Sequence, residues 1–335
     1  MANIYDVARR AGFSRSTVSR VLNAKGEVDP NTAELIWEAV RELNYHPNAS
    51  ARALVRQRTD MIGVMLANVS DPFYEKIIKG IESAALVRNL EVVFYNSDDN
   101  LQNHQMLISN VLETNKVDGL IVVGSHLGDH KAILEIIGRG FPIAMIERYF
   151  TDVKVPCVVA DNRQGAVVAV EHLIRLGHRR IGCITGNLHY QTAIERLEGY
   201  KTTLVKHQLA VAEELIALGD FHYENGYDAM KQLLALPERP TAVFACNDMM
   251  AFGAIAAIQE AGLAVPGDLA IVGYDDIAFT TVFNPQLTTV RQPLFAMGSL
   301  VTASLIDRIM FGEAATVVKQ VFPVELVIRK SCGAV

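Results

Sequence analysis

Cysteine is scarce in this chain and scattered. Cys157, Cys183, Cys246 and Cys332 form no C-x-x-C pair and lie far apart in sequence, so buried thiols are expected and metal or disulfide frameworks are not. No uninterrupted apolar run reaches the length of a membrane span. The first twenty residues carry charges where a signal peptide would hold its apolar centre, which points to a cytoplasmic protein with no membrane partner. Catalytic signatures are missing as well: there is no G-x-S-x-G elbow, no G-x-x-x-x-G-K-[ST] phosphate loop and no strand-to-helix G-x-G-x-x-G. These absences argue against an enzyme and leave no cofactor to expect.

What is present is organised around Ser14 to Asn23, S-R-S-T-V-S-R-V-L-N. Val18, Val21 and Leu22 recur at helical spacing on one face, leaving Arg15, Ser16, Ser19 and Arg20 to face outward. Ser14 can cap this helix, so that Arg15 and Ser16 project from its first turn. Taken alone, the segment fits either a base-reading helix or a solvated face on a small core helix, and its neighbours decide between them. Upstream, Asn3 caps a helix over Ile4 to Ala11 that stops at Gly12, with Asp6 completing a capping box and Ile4, Val7, Ala8 and Ala11 on its apolar face. The join of Gly12, Phe13 and Ser14 is the short glycine-containing turn of a helix-turn-helix unit. Downstream, Asp29 caps and Pro30 opens a third helix, whose Leu35, Ile36, Ala39, Val40 and Leu43 are expected to close a core over the first two. Residues 1–46 therefore read as an all-α headpiece.

The charge distribution agrees. The net charge is −6, yet residues 1–58 hold 9 Lys and Arg against 6 Asp and Glu, leaving the remainder strongly acidic. Residues 47–59 read as a basic linker rich in Ala and Arg, with Leu54 and Val55 as lone apolar side chains. It is too short to hold a helix by propensity, and its chemistry is compatible with disorder or with folding on a surface.

From Met61 the texture becomes βαβ, with expected strands at Met61–Ala67, Glu91–Asn96, Asp118–Val123 and Pro142–Ile146, then Arg180–Thr185, Thr241–Cys246 and Ala270–Tyr274. Two parallel-sheet α/β lobes are implied in residues 60–335, the first from about 60–160 and 292–320, the second from about 161–290 and 321–335. Ligands of such sheets bind past the carboxyl ends of the strands, where Asp71, Phe73, Glu147, Arg148, Asn247 and Asp275 recur. Carboxylates, Asn and Arg beside an aromatic ring suit a polyol. His126, Asp129 and His130 lie close in sequence, but a polar loop and helix start is expected there rather than a metal site.

These segments together resemble the lactose/galactose repressor family of bacterial transcription regulators. The similarity runs from I-Y-D-V-A-R-R-A-G and S-T-V-S-R-V-L-N through Y-H-P-N-A-S-A-R-A-L and H-L-I-R-L-G-H-R-R-I to P-T-A-V-F-A-C-N-D-M-M-A-F-G-A and V-G-Y-D-D, with V-S-D-P-F-Y and R-L-E-G-Y most like the ribose and galactose branches. The resemblance implies a homodimer whose core is like periplasmic sugar-binding proteins, acting on double-stranded operator DNA at the nucleoid. It implies DNA contacts from Tyr5, Ser14, Arg15, Ser16, Thr17, Ser19, Arg20 and Asn23, and a hinge helix in which Ala53, Leu54 and Val55 meet the minor groove. It places a small-molecule effector, a sugar by branch, among Asp71, Phe73, Tyr74, Glu147, Arg148, Tyr190, Thr192, Arg196, Phe221, Asn247, Asp275 and Gln292. Two positions depart from the family: Glu147 stands where sugar-binding relatives often have Asp, and Tyr190 where the purine-binding relative has Arg. A global regulator answering to a phosphoprotein or a nucleobase corepressor is the alternative. The tail from Arg329 to Val335 has no leucine heptads, so a coiled-coil tetramer is not expected.

Overall fold

The computed structural model describes residues 2–22, 28–45, 58–150, 153–312 and 319–334. Asn23 and the hinge positions Ala53, Leu54 and Val55 lie outside the described residues. The chain divides into two units, residues 1–61 with 116–118, and the remainder.

In the first unit, α1 (Ile4–Ala11), α2 (Arg15–Leu22) and α3 (Pro30–Glu42) follow their local signals closely. Asn3 Oδ1 accepts from the Tyr5 and Asp6 amides while Asp6 Oδ2 accepts from the Asn3 amide, which completes the capping box. Gly12 ends α1 at φ +74°, a conformation that a side chain would strain. Val7, Ala8, Val18, Val21, Leu22, Ile36, Ala39 and Val40 form the core. Leu35 does not join it and is 50% exposed. It sits about a quarter turn from the centre of the stripe made by Ile36, Ala39, Val40 and Leu43.

The second unit holds two six-stranded sheets built on the same plan. The first contains β1 (Met61–Leu66), β2 (Glu91–Asn96), β3 (Gly119–Val123), β4 (Ile143–Ile146), β5 (Cys157–Ala160) and β11 (Lys319–Phe322), in the order β2-β1-β3-β4-β5-β11. The second contains β6 (Ile181–Thr185), β7 (Ile216–Leu218), β8 (Ala242–Ala245), β9 (Ala270–Asp275), β10 (Thr288–Arg291) and β12 (Glu325–Val327), in the order β7-β6-β8-β9-β10-β12. Pairing is parallel throughout the given registers, for instance Val64 with Ile121 and Ile121 with Ala144, except where β12 runs antiparallel to β10. This is the doubly wound order, in which the strand sequence reverses beside β1 and again beside β6, and a crevice opens at each reversal.

Helices α4 (Tyr74–Val87), α5 (Leu101–Thr114) and α6 (His130–Gly138) belong to the first lobe, and α7 (Asn162–Arg175), α8 (Gln191–Lys206), α9 (Tyr223–Leu234) and α10 (Asp248–Glu260) to the second. The chain crosses between lobes after Ala160, after Arg291 and after Phe322, so Val321 and Phe322 pair in the first sheet and not, as expected, in the second. The middle crossing leads into α11 (Leu294–Phe311), an 18-residue helix long and apolar enough to cross a membrane, although Asp307 and Arg308 interrupt its apolar run. Its Leu294, Met297, Gly298, Val301 and Leu305 are buried in the first-lobe core together with Ile77 and Ile81 of α4. It is a core helix: Gly298 has no Cβ, so α11 lies directly against the α4 backbone at Ile77.

Candidate functional site

The headpiece presents a polar face from α2. Ser14 Oγ accepts from the Thr17 amide at 3.1 Å and shares hydroxyl contacts with Ser16 and Thr17, so its side chain caps the helix. Arg15, Ser16 and Arg20 are exposed, Thr17 and Ser19 half-buried. Arg15 Nη1 donates to the Tyr5 hydroxyl at 3.0 Å, with the guanidinium 5.5 Å from the Tyr5 ring centre. Seven of the eight expected DNA-facing headpiece positions are therefore placed, and Tyr5 and Arg15 form one unit on the outer surface.

The core unit holds a cleft of about 590 Å³ lined from both lobes. Ten expected residues line it: Asp71, Phe73, Tyr74, Glu147, Tyr190, Thr192, Arg196, Phe221, Asn247 and Asp275. Its floor is a chain of hydrogen bonds. Glu147 accepts from the Ala160 amide and from Asn162 Nδ2, each at 2.9 Å; Asn162 Oδ1 accepts from Arg196 Nε at 2.8 Å. Arg196 Nη1 donates to the Cys246 carbonyl at 2.5 Å and lies 3.5 Å from Asp275 Oδ1, which accepts from Gln292 Nε2 at 2.7 Å. The guanidinium stacks 3.7 Å from the Tyr274 ring centre. Arg196 points inward because it falls on the same stripe of α8 as Ala193, Tyr200 and Leu204.

Two expected effector residues are elsewhere. Arg148 is buried beneath the loop after β3, where Nη1 donates to Ser125 Oγ and to the His126 carbonyl, both at 2.6 Å, and the guanidinium covers Phe150. Gln292 stands behind Asp275 and positions it without lining the cleft. Glu147 lies past the end of β4 with a left-handed backbone at φ 61°, and it enters the cleft while Arg148 leaves it. Conversely, Asn68, Asp99, Gly124, Asp220 and His222 line the cleft and were not singled out. Asp99 and Gly124 follow β2 and β3, so the strand-end rule that found Asp71 covers them too. The His126–Asp129–His130 segment disperses: His126 stacks on His189 at 4.7 Å, Asp129 faces His104, and His130 meets Phe150 at 5.1 Å. Among the described residues no three-residue metal-binding group forms.

The lining is unusual in its backbone. Asp99, Glu147, Phe221 and Asp275 adopt φ of 52°, 61°, 80° and 117°. Each such residue costs on the order of 1–3 kcal/mol, and clusters of them mark ligand sites. The electrostatics agree. Burial pushes the Asp275 carboxyl well above the usual carboxylate range, opposed by Arg196, and burial also raises Asp71, Asp99 and Glu147. The lobes touch across the cleft through Lys76 Nζ donating to the Asp276 carbonyl at 2.8 Å, an Asp99–His222 contact at 3.4 Å and the Leu127 amide donating to the His189 carbonyl at 2.8 Å.

Against known proteins, residues 3–48 match the family of bacterial regulatory proteins named lacI, and residues 170–332 match the periplasmic binding protein-like domain. The HTH-type transcriptional repressor PurR of Proteus mirabilis is 39% identical over 99% of this chain and 97% of its own. The chain belongs to the lacI family. The PurR repressor of Erwinia tasmaniensis is 36% identical over the same shares. A lac repressor dimer bound to operator and the anti-inducer ONPF superposes with a TM-score of 0.86 at 31% identity, covering 98% of each chain. The regulator CelR in complex with cellobiose gives 0.76 at 33%, covering 99% of this chain and 100% of that one. As a lacI-family member, this protein is a DNA-binding transcriptional repressor with an α/β effector-binding core.

One consequence concerns Asp248, the first residue of α10. It is fully buried, accepts from the Thr289 hydroxyl at 2.5 Å and the Ile277 amide at 3.0 Å, and burial pushes its carboxyl up to about 7. A folded-state value above the unfolded one means that the folded chain holds a proton which the unfolded chain has released, so Asp248 favours folding less as pH rises from about 4 to about 7. Relative to wild type, Asp248→Asn should gain stability in urea unfolding as the pH is raised from 5 to 8. A difference independent of pH would contradict the assignment.

Proposed function

We propose that this repressor controls an operon of carbohydrate use and that a neutral sugar or sugar derivative in the cleft sets its operator affinity. The carrying observation is the lining: five carboxyl side chains, Asp71, Asp99, Glu147, Asp220 and Asp275, against the guanidinium of Arg196 and the imidazole of His222. Such a wall accepts hydrogen bonds and repels anions. A polyol, which is neutral and rich in hydroxyl donors, suits it, and the rings of Phe73, Tyr190 and Phe221 offer faces to its C–H edges. Structures similar to this chain include CelR with cellobiose and an Enterococcus faecium lacI-family regulator with ribose, the latter at 30% identity and a TM-score of 0.72, covering 81% of this chain and 98% of that one. A nucleobase corepressor is the second reading, favoured by the relatives named PurR.

The active form in this proposal is a cytoplasmic, nucleoid-bound homodimer that performs no chemistry on its ligand. Leu86, Val87, Phe279 and Val282 are exposed apolar side chains that a second copy would cover. Its two headpieces read a near-palindromic operator through Tyr5, Arg15, Ser16 and Arg20. Residues 48–57 are proposed to become helical on the operator, with Leu54 at the central step.

A thermal-shift screen of the full chain against pentoses, hexoses, their phosphates and purine bases tests the ligand. A neutral sugar at a hundredfold excess over its Kd adds about 2.7 kcal/mol of stability, and Asp275→Ala should abolish that shift while sparing operator binding. A shift by purines alone selects the second reading, and binding by sugar phosphates alone refutes both. For the DNA face, Arg15→Ala should relax preference at one base pair per half-site by about 1–3 kcal/mol in a binding-site selection. Equal weakening on every sequence would make Arg15 a phosphate contact instead.

A further inference from the structure

Arg15 opens α2 and Tyr5 stands in the first turn of α1, so the two side chains reach one another from separate helices of the headpiece. Neither is held by the headpiece core. Tyr5 is 58% exposed, and the face of α1 that packs inward is made by Val7 and Ala8 with Ile4 beside them. The Tyr5 ring lies instead against the Arg15 guanidinium, whose centre is 5.5 Å from the ring centre, and its hydroxyl accepts from Arg15 Nη1 at 3.0 Å. The other end of Arg15 is fixed as well, because Ser14 Oγ accepts from the Thr17 amide at 3.1 Å and anchors the first turn of α2.

A guanidinium carries five N–H donors, and the hydroxyl of Tyr5 engages Nη1 alone. The Nε–Nη2 edge is left with two parallel N–H groups, the pattern that O6 and N7 of a guanine accept. An exposed arginine otherwise samples many rotamers, and immobilising such a side chain on binding costs affinity. Hydroxyl and ring together restrict both the position and the tilt of the guanidinium before DNA arrives. Resting on the base-reading role given to Arg15 above, we propose that Tyr5 is a positioning residue. It holds Nη1 so that the other edge of Arg15 meets a guanine, and it sets specificity at that base pair through Arg15, not through a base contact of its own.

The test is a binding-site selection of the full chain on a randomised duplex pool, followed by titration of the selected duplex and of duplexes changed at single base pairs. Arg15→Ala identifies the base pair that Arg15 reads. Tyr5→Phe, which keeps the ring and removes the acceptor, should lower the preference at that same base pair about three- to tenfold, the worth of one hydrogen bond, and leave the other positions unchanged. In the Arg15→Ala background Tyr5→Phe should change nothing further, since residues that act as a unit are not additive. Wild-type preference in Tyr5→Phe overturns the proposal. So does an equal loss on every duplex, which makes Tyr5 a phosphate contact or a support of the fold, and so does a Tyr5→Phe effect that persists without Arg15, which makes Tyr5 a base reader itself. In each of these cases the role of Arg15 stands. If Arg15→Ala weakens all duplexes alike, that role fails and this inference fails with it.

Discussion

The core depends on one buried cation. Arg196 brings a guanidinium into a site that is 3% exposed, where an unpaired charge would be prohibitively costly. Its surroundings answer it on every side: the Asn162 side chain, the Cys246 carbonyl, the Asp275 carboxylate and the Tyr274 ring. Those partners come from the start of α7, the end of β8 and the end of β9. One side chain on α8 therefore holds together the strand ends that face the cleft, and removing it would leave the Asp275 carboxylate without its counter-ion.

The same arrangement ties the ligand site to the crossings between lobes. Asn162 follows the first crossing, after β5, and Gln292 begins the second, after β10; they are the two neighbours through which Glu147 and Asp275 are held. A ligand donor that reaches Asp275 competes with Gln292 and Arg196 for its oxygens, so binding is felt at both connections. A ligand shifts the balance between lobe arrangements only by the difference in its affinity for them. The inter-lobe contacts of Lys76, His222 and His189 lie at the cleft's edges, where that difference would be made.

The headpiece was legible almost residue by residue because its signals are local: Asn3 and Asp6 at one helix start, Gly12 at its end, Ser14, then Asp29 with Pro30. Leu35 was misplaced because a stripe's edge cannot be told from its centre by spacing alone. In the core, apolar strands such as β1, β3, β4 and β8 were readable, while β5, β7 and β10 were not: β7 has only three residues and β10 carries Thr288, Thr289 and Arg291 among its four. Strand ends located Asp71, Glu147 and Asn247 without showing which way each side chain turns, hence the error at Arg148. Tyr190, Thr192, Arg196 and Phe221 were found through family resemblance, since their place in the cleft is set by helix packing. The His104–Asp129 contact joins two helical segments 25 positions apart, and no motif announces it.

If the cleft is an acceptor-rich site closed by hydroxyl donors, its chemistry has a proton signature. Burial raises the Asp275 carboxyl above the usual carboxylate range against the pull of Arg196, and a ligand hydroxyl donating to it favours the ionised form and so draws it back down. The most direct measurement is titration of the stabilising sugar near pH 6 in two buffers of different ionisation enthalpy. The account predicts net proton release on binding, and therefore affinity that rises with pH; proton uptake, or no exchange at all, would contradict it.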